Sequence, residues 1–249
     1  MIRLKDTREV DGIRRSGRLL ARALHALVPL VVDGATTREL DAFARSFLTS
    51  RGARPSFLGY LDFPASLCVS VNNEVIHGIP GPRRLSDGDL VSLDLGVDLE
   101  GYFSDAAVTV AVGRASRERT RLADVTRECL ERALSAALPG GRIGDISRAV
   151  SGHAAAHGYG VVREYCGHGV GFSPHEDPQV PNYVGAGPNP RLKPGMVLAV
   201  EPMINAGTGD IEVLDDGWTV VTADGADSAH FEHTILITAT GMEILTRLD

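Results

Sequence analysis

Twice along a chain of 249 residues, two segments with helical periodicity precede a group of strand-like runs, and no low-complexity or linker-like stretch separates the two rounds. Paired helices followed by clustered strands imply helices packed on an antiparallel sheet, an α+β fold. In the first round, Asp6-Thr7-Arg8-Glu9 has the form of a capping box. The stripe Val10, Ile13, Gly17, Leu20, Ala21, Leu24 and Val28 then marks one helix face that ends before Pro29. Thr36-Thr37-Arg38-Glu39 opens a second helix carrying Leu40, Phe43, Phe47 and Leu48, stopped by Gly52, and strands are expected around 66–77 and 90–112. In the second round, a helix runs from Ser116 to about Leu138, broken by Pro139-Gly140-Gly141, and another spans about Asp145 to His157. Strands follow around 161–166, 196–204, 211–213, 218–222 and 231–238. The pattern predicts one domain over residues 1–249, in two similar halves (about 1–113 and 114–249) around a central antiparallel sheet.

Composition removes several function classes. Acidic residues outnumber basic ones 32 to 25, a net charge of −7, whereas a nucleic-acid partner calls for a basic face. Three cysteines (Cys68, Cys129 and Cys166) make an odd number without metal-finger spacing, and fit reduced thiols in a cytoplasm. Arg22 and His25 interrupt the apolar run LLARALHALVPLVV, so no signal peptide is expected there, and no run is long enough to cross a membrane.

The stretch SLDLGVDLEGYFSD, residues 92–105, reads as a hairpin with Leu99 and Glu100 at its tip. That register sets Asp94 opposite Asp105 on one sheet face, where like charges destabilise. Three more polar residues stand in similarly awkward places: Glu201 in VLAVEPMI, Glu232 in AHFEHTILI, and His168 in EYCGHGVGF, between glycines that let backbone approach closely. Each alone has an ordinary reading: a glutamate on a half-exposed strand, a hydrogen-bonded histidine, or a one-residue slip that sends the two aspartates to opposite faces. Together, four carboxylates and an imidazole in apolar surroundings need compensation, because burying an ion costs several kcal/mol. Two divalent ions would balance four carboxylates, and oxygen-rich ligation with one imidazole suits Mn, Fe, Co or Zn.

Over residues 3–248 the chain resembles the type I methionine aminopeptidases of the pita-bread fold. The resemblance rests on SVNNEVIHGIP, LDLGVDLEGYFSDAAVT, REYCGHGVGFSPHEDPQVPNY, LKPGMVLAVEPMIN, DGWTVVT and HFEHTILIT, in that order. It implies one catalytic domain with two divalent metals: Asp94 chelating one, Asp105 and Glu232 bridging both, His168 and Glu201 binding the other. It further implies that a hydroxide bridging the metals attacks the carbonyl after the first residue, with Glu201 moving the proton to the leaving amine. His77 and His175 would contact substrate, and Phe57, Tyr60, Phe63, Cys68 and Trp218 would line a methionine pocket. The implied activity is cytoplasmic removal of initiator methionine from nascent polypeptides, preferring a small second residue, by a monomer.

Two positions depart from the family pattern. Pro174 stands where a bulkier residue is usual, which bears on pocket shape, and His230 stands where a neutral polar residue is common. The sequence shows no N-terminal zinc-finger or proline-rich arm, so docking to the ribosome through such an arm is not expected, and the ribosome as a partner stays open. Two rivals share the fold: a Xaa-Pro dipeptidase, which typically carries a further N-terminal domain, and a peptide-binding relative without metals. An unrelated metal-dependent hydrolase would share only the ligand inventory.

Overall fold

In the computed structural model, which describes residues 1–248, four helices form where the apolar stripes and capping residues predict them. The first, α1 (Thr7–Leu27), starts at a reciprocal capping box: Asp6 accepts from the Glu9 amide at 2.9 Å, and Glu9 accepts from the Asp6 amide. Such a cap stabilises a helix by about 0.5–2 kcal/mol. Pro29 falls in a 3₁₀ turn (Val28–Leu30) immediately beyond the helix. Thr36 and Glu39 cap α2 (Thr37–Thr49) in the same way, and Ser116 caps α3 (Arg117–Ala136). The fourth, α4 (Ile143–Ala156), begins two residues before the expected Asp145. Asp145 sits inside the first turn and reaches back to the Arg142 amide at 2.8 Å, so the cap acts from within the helix.

The first half supplies β1 (Arg54–Pro55), β2 (Cys68–Val71), β3 (Glu74–Ile76), β4 (Leu90–Leu99) and β5 (Tyr102–Ala111). The second supplies β6 (Gly160–Val161), β7 (Gly167–Gly169), β8 (Glu176–Val180), β9 (Val197–Val200) and β10 (Met203–Asn205), then β11 (Ile211–Val213), β12 (Val220–Thr222), β13 (Ser228–His230), β14 (His233–Ile237) and β15 (Met242–Ile244). Strand β6 is much shorter than the predicted run over 161–166, while β1, β7, β8, β13 and β15 have no counterpart in the prediction. Every ladder is antiparallel, and the strands divide into two larger sheets (β1-β4-β2 with β5, and β15-β14-β9-β7-β8) and two three-stranded ones.

The predicted register of the β4–β5 hairpin is two residues out. Asp94 pairs with Ala107 and Asp105 with Gly96, not with each other. The tip consists of Glu100 and Gly101, with φ of +56° and +82°, the two left-handed residues a type I′ turn requires. Asp98 is a strand residue that pairs with Phe103, accepts from the Gly101 amide at 2.8 Å and is gripped by Arg54. A two-residue shift preserves which face each side chain takes. Asp94 and Asp105 therefore share a face as diagonal neighbours, a spacing of roughly 7–8 Å between Cα atoms instead of head-on opposition.

Each helix pair closes a core on its own strands. Leu20, Leu24, Leu40 and Leu48 pack on Leu93, Leu95 and Val97, whereas Leu122, Leu130, Ile143 and Val150 pack on Leu198, Ile204 and Ile235. Burying one such side chain is worth about 1.5–3 kcal/mol. The two sheets meet along a seam of polar contacts. The Asp105 amide donates to Thr234 Oγ1 at 2.9 Å, and that hydroxyl donates back to the Asp105 carbonyl at 2.7 Å. The Glu232 amide donates to the Ala107 carbonyl at 2.9 Å. The seam sets acidic residues from both halves side by side.

Candidate metal centre

Five side chains converge at that seam. Asp94 comes from β4 and Asp105 from β5; His168 lies in β7, Glu201 just past β9, and Glu232 between β13 and β14. Asp105, His168 and Glu232 each offer a ligand atom within 4.8 Å of the other two, and His168 Nε2 lies 3.5 Å from Glu201 Oε1. The positions of Glu201 and Glu232 just outside strand ends explain how carboxylates can follow apolar runs without interrupting a ladder.

The strand holding His168 exists because of its glycines. A Cβ on Gly167 would lie 2.4 Å from the Ala199 carbonyl oxygen, and one on Gly169 would lie 2.2 Å from that of Asp177. Only glycine allows β8 and β9 to close on both sides of the histidine. His168 Nδ1 then donates to the Gly169 carbonyl at 2.9 Å, which leaves Nε2 as the bare nitrogen facing the carboxylates.

The electrostatics are those of a cation site. Asp94 Oδ1, Asp105 Oδ1 and Glu232 Oε1 are buried without a hydrogen-bond partner among the described residues, an arrangement that folded proteins rarely leave uncompensated. Burial raises the Asp94 carboxyl to about 7. Burial, reinforced by the neighbouring carboxylates, holds Asp105 and Glu232 well above the usual carboxylate range. For Glu201, burial pushes upward, but His230, His168 and His175 outweigh it and keep the group low. The residues fit divalent metal ions: oxygen donors with no protein partner, one oriented imidazole and an excess of negative charge.

This carries a pH prediction with a definite sign. In metal-free protein, a carboxyl with a raised folded pKa contributes nothing unfavourable at low pH, where it is protonated in both states. It then destabilises increasingly as pH climbs from the unfolded value near 4 to about 7 for Asp94. Bound cations require the ionised form and reverse the penalty. The increment in Tm on adding metal is expected to grow as pH rises from 4 to 7, which calorimetric scans of stripped and loaded protein at four pH values would check.

All twelve candidate ligand, substrate-contact and pocket residues named from the sequence line one cavity of about 440 Å³. Its apolar wall consists of Phe57, Phe63 and Cys68 with Trp218 packed edge-on against Phe63, ring centroids 5.0 Å apart. Gly96, opposite Asp105, makes this wall possible, since a Cβ there would lie 2.7 Å from the Phe57 ring. His77 stands edge-on to both Tyr165 and Trp218 in a left-handed conformation (φ +59°), a strain that a non-glycine residue adopts only where its surroundings impose it. His175 sits at the solvent rim, its ring between Tyr60 and His168, with Nδ1 3.1 Å from the Tyr60 hydroxyl. Burial lowers both His77 and His175 to about 4, so each is a neutral imidazole with one N–H to donate at neutral pH.

The cavity also contains residues that the sequence left unassigned. Tyr165 and Gln179 line it, and Leu61, 72% exposed with φ +48°, stands at its mouth. Tyr165 lies inside a motif that was otherwise legible; nothing local marks Leu61. Of the two departures, Pro174 is buried and does not line the cavity. His230 is 1% exposed, its backbone clasped by Thr109, and its Nε2 faces Glu201 Oε2 at 3.6 Å.

Comparison with known proteins agrees with this geometry. Residues 11–239 match the model of metallopeptidase family M24. The chain is 51% identical over 247 residues to the methionine aminopeptidase of Treponema pallidum, covering 99% of this chain and 96% of that one. The crystal structure of methionine aminopeptidase from Thermotoga maritima superposes with a TM-score of 0.97 at 42% identity, covering all of both chains. The prolidase from Pyrococcus horikoshii shares the fold at a TM-score of 0.80 and 26% identity, and the match spans 64% of its length. The pita-bread architecture, the acidic centre at its seam and full-length identity near one half lead to one assignment: the chain belongs to metallopeptidase family M24 and, within it, to the methionine aminopeptidases.

Proposed function

We infer that the protein is a metal-dependent aminopeptidase that removes the N-terminal methionine of nascent polypeptides, favouring a small second residue. The observation that carries this reading is the juxtaposition at the cavity floor. Three partnerless carboxylate oxygens and a His168–Glu201 pair line the same cavity as an apolar wall of Phe57, Phe63, Cys68 and Trp218. Asp94, Asp105 and Glu232 with His168 and Glu201 would hold two divalent ions, drawn from Co, Mn, Fe or Zn. When bound, such a pair supplies Lewis-acid polarisation and a water acidic enough to attack at neutral pH.

The chain's own residues supply the rest. Glu201, kept ionised by the surrounding histidines, accepts the proton of the attacking water and returns it to the leaving amine. His175, neutral at the rim, donates its N–H to the oxygen that gains charge during attack. His77, wedged between Tyr165 and Trp218, orients the peptide that crosses the pocket mouth. Phe57, Tyr60, Phe63, Cys68 and Trp218 receive the thioether, for which aromatic contacts are favourable. We place the enzyme in the cytoplasm, in keeping with three free cysteines, as a monomer that meets nascent chains with an exposed N-terminal methionine. Among the described residues no helix is long and apolar enough to cross a membrane.

Replacing Trp218 with Ala removes one wall of the pocket and the edge contact to Phe63. The expected result is a fall in kcat/KM for Met-Ala-Ser of about 10–100-fold, with the preference over leucine-led peptides shrinking, since one pocket discriminates by only a few kcal/mol. The reading itself is tested with metal-stripped protein, given Met-Ala-Ser and Ala-Pro peptides before and after cobalt or manganese is added. Cleavage of Met-Ala-Ser only after metal addition supports it. Cleavage of Ala-Pro in place of Met-Ala-Ser turns the assignment toward the prolidase-like rival, and turnover in stripped protein removes the metal from the mechanism.

A further inference from the structure

Among the described residues, one other group of side chains, away from the catalytic cavity, has the chemistry of a metal site. His153 in the last turn of α4 and His157 at its C-cap stand one turn apart, in the segment HAAAH, and Glu128 reaches them from α3. Each of the three offers a ligand atom within 4.8 Å of the other two. Glu128 Oε2 lies 2.7 Å from His153 Nε2, holding a side chain that is only 8% exposed, and the two imidazole rings lie 4.6 Å apart. Glu128 and His153 line a surface depression that has no residue in common with the catalytic cavity.

We propose that Glu128, His153 and His157 form a separate, non-catalytic site for a borderline divalent cation such as zinc, nickel or copper, which ties α3 to α4. Residues at i and i+4 project from one helix face, so both rings can turn toward a single point. Two imidazoles and one carboxylate form a donor set typical of zinc, with water completing a tetrahedron. Ligand atoms in such a tetrahedron stand ~3.4 Å apart, given metal–ligand bonds near 2.1 Å. The ligand atoms, within 4.8 Å of one another, need to close by little more than 1 Å to reach that spacing.

The charges around the site decide which ions it takes. Arg121 Nη2 lies 3.5 Å from His157 Nδ1, and Arg132 and Arg148 line the same depression, Arg148 already paired with Asp145. With three guanidiniums nearby and one carboxylate among the ligands, an ion that binds by charge alone gains little. Magnesium and calcium, which need several oxygen donors, are therefore excluded, whereas ions that bond strongly to imidazole nitrogen are not. Arg121 is the competitor that an incoming cation displaces.

The test uses the manganese-loaded holoenzyme titrated with zinc in a calorimeter, comparing the wild-type chain with H157Q, E128Q and the H153A/H157A double variant. The wild type is expected to take up one more equivalent of zinc than the double variant. Affinity for that equivalent should fall at least about 10–100-fold in H157Q and E128Q, no less than the loss of an outer-shell partner costs. R121Q should tighten it. Zinc should raise the Tm of the wild type by about 2–4 °C more than that of H157Q, while kcat/KM for Met-Ala-Ser stays the same in every variant that retains the wild-type far-UV circular dichroism. H157Q carries the comparison if the double variant does not fold. Equal zinc stoichiometry in the wild type and the double variant, or an extra equivalent with unchanged affinity in H157Q and E128Q, overturns the proposal.

Discussion

Glu201→Gln should lower kcat for Met-Ala-Ser by about 10²–10⁴-fold in fully metal-loaded enzyme, the range that a positioned general base contributes. The amide keeps the shape and one oxygen of the original side chain, and the Glu201 carbonyl remains tied to Asn182 at 2.9 Å, so the local backbone is unchanged. What is lost is the group that accepts the proton. Because that loss is felt only as the reaction proceeds, kcat and kcat/KM should fall together, with KM little altered. Steady-state kinetics at saturating metal check this, and a kcat within tenfold of the wild type would move the base to another residue.

The second large effect has opposite signs in the two forms of the protein. Asp105→Asn puts a neutral amide in place of a carboxyl whose ionisation is opposed by burial and by Asp94 and Glu201. In metal-free protein at pH 7, the substitution removes the cost of suppressing that ionisation, and Tm should rise by roughly 2–4 °C, about 1 kcal/mol in a chain of this size. In the presence of metal, the same change removes a ligand: affinity should fall at least about 10–100-fold and activity at limiting metal with it. The Asp105 backbone is held by Thr234 on both its amide and its carbonyl, so the variant should retain the hairpin. Scans with and without added manganese give both signs in one experiment. A lower Tm in the metal-free variant would mean that protein contacts, not cations, compensate the buried charge.

The legible parts of the fold were those with local causes. Helix starts followed from side chains that reach their own first turn, as at Asp6, Thr36 and Ser116, and the one misplaced start, at Asp145, came from a cap that acts from inside the helix. The face shared by Asp94 and Asp105 was legible because strand periodicity fixes it. Their register was not, because it depends on Glu100 adopting a left-handed conformation that its residue type does not announce. Strands β7 and β8 were not foreseen, since Gly-His-Gly and a proline-containing acidic segment have little strand propensity of their own; β7 pairs with β9, and β8 adds at the sheet edge through β7. The candidate ligands stood out locally: Glu201 and Glu232 as charges in apolar runs, Asp94 and Asp105 as like charges sharing a hairpin face, and His168 as a histidine between glycines. By contrast, the pocket aromatics Phe57, Phe63 and Trp218 look like ordinary core residues and were identified only through family resemblance. His153 and His157 were overlooked because histidines on an amphipathic helix carry no local signal; only the approach of Glu128 from α3 sets them apart.

The account depends on five side chains, drawn from both halves of the chain, sharing one pair of ions. Anomalous diffraction from crystals grown with manganese addresses that directly. Two peaks about 3.5–4 Å apart, enclosed by Asp94, Asp105, His168, Glu201 and Glu232, are the predicted result. A cavity without anomalous density, its carboxylates turned to hydrogen-bond donors of the protein, would contradict it.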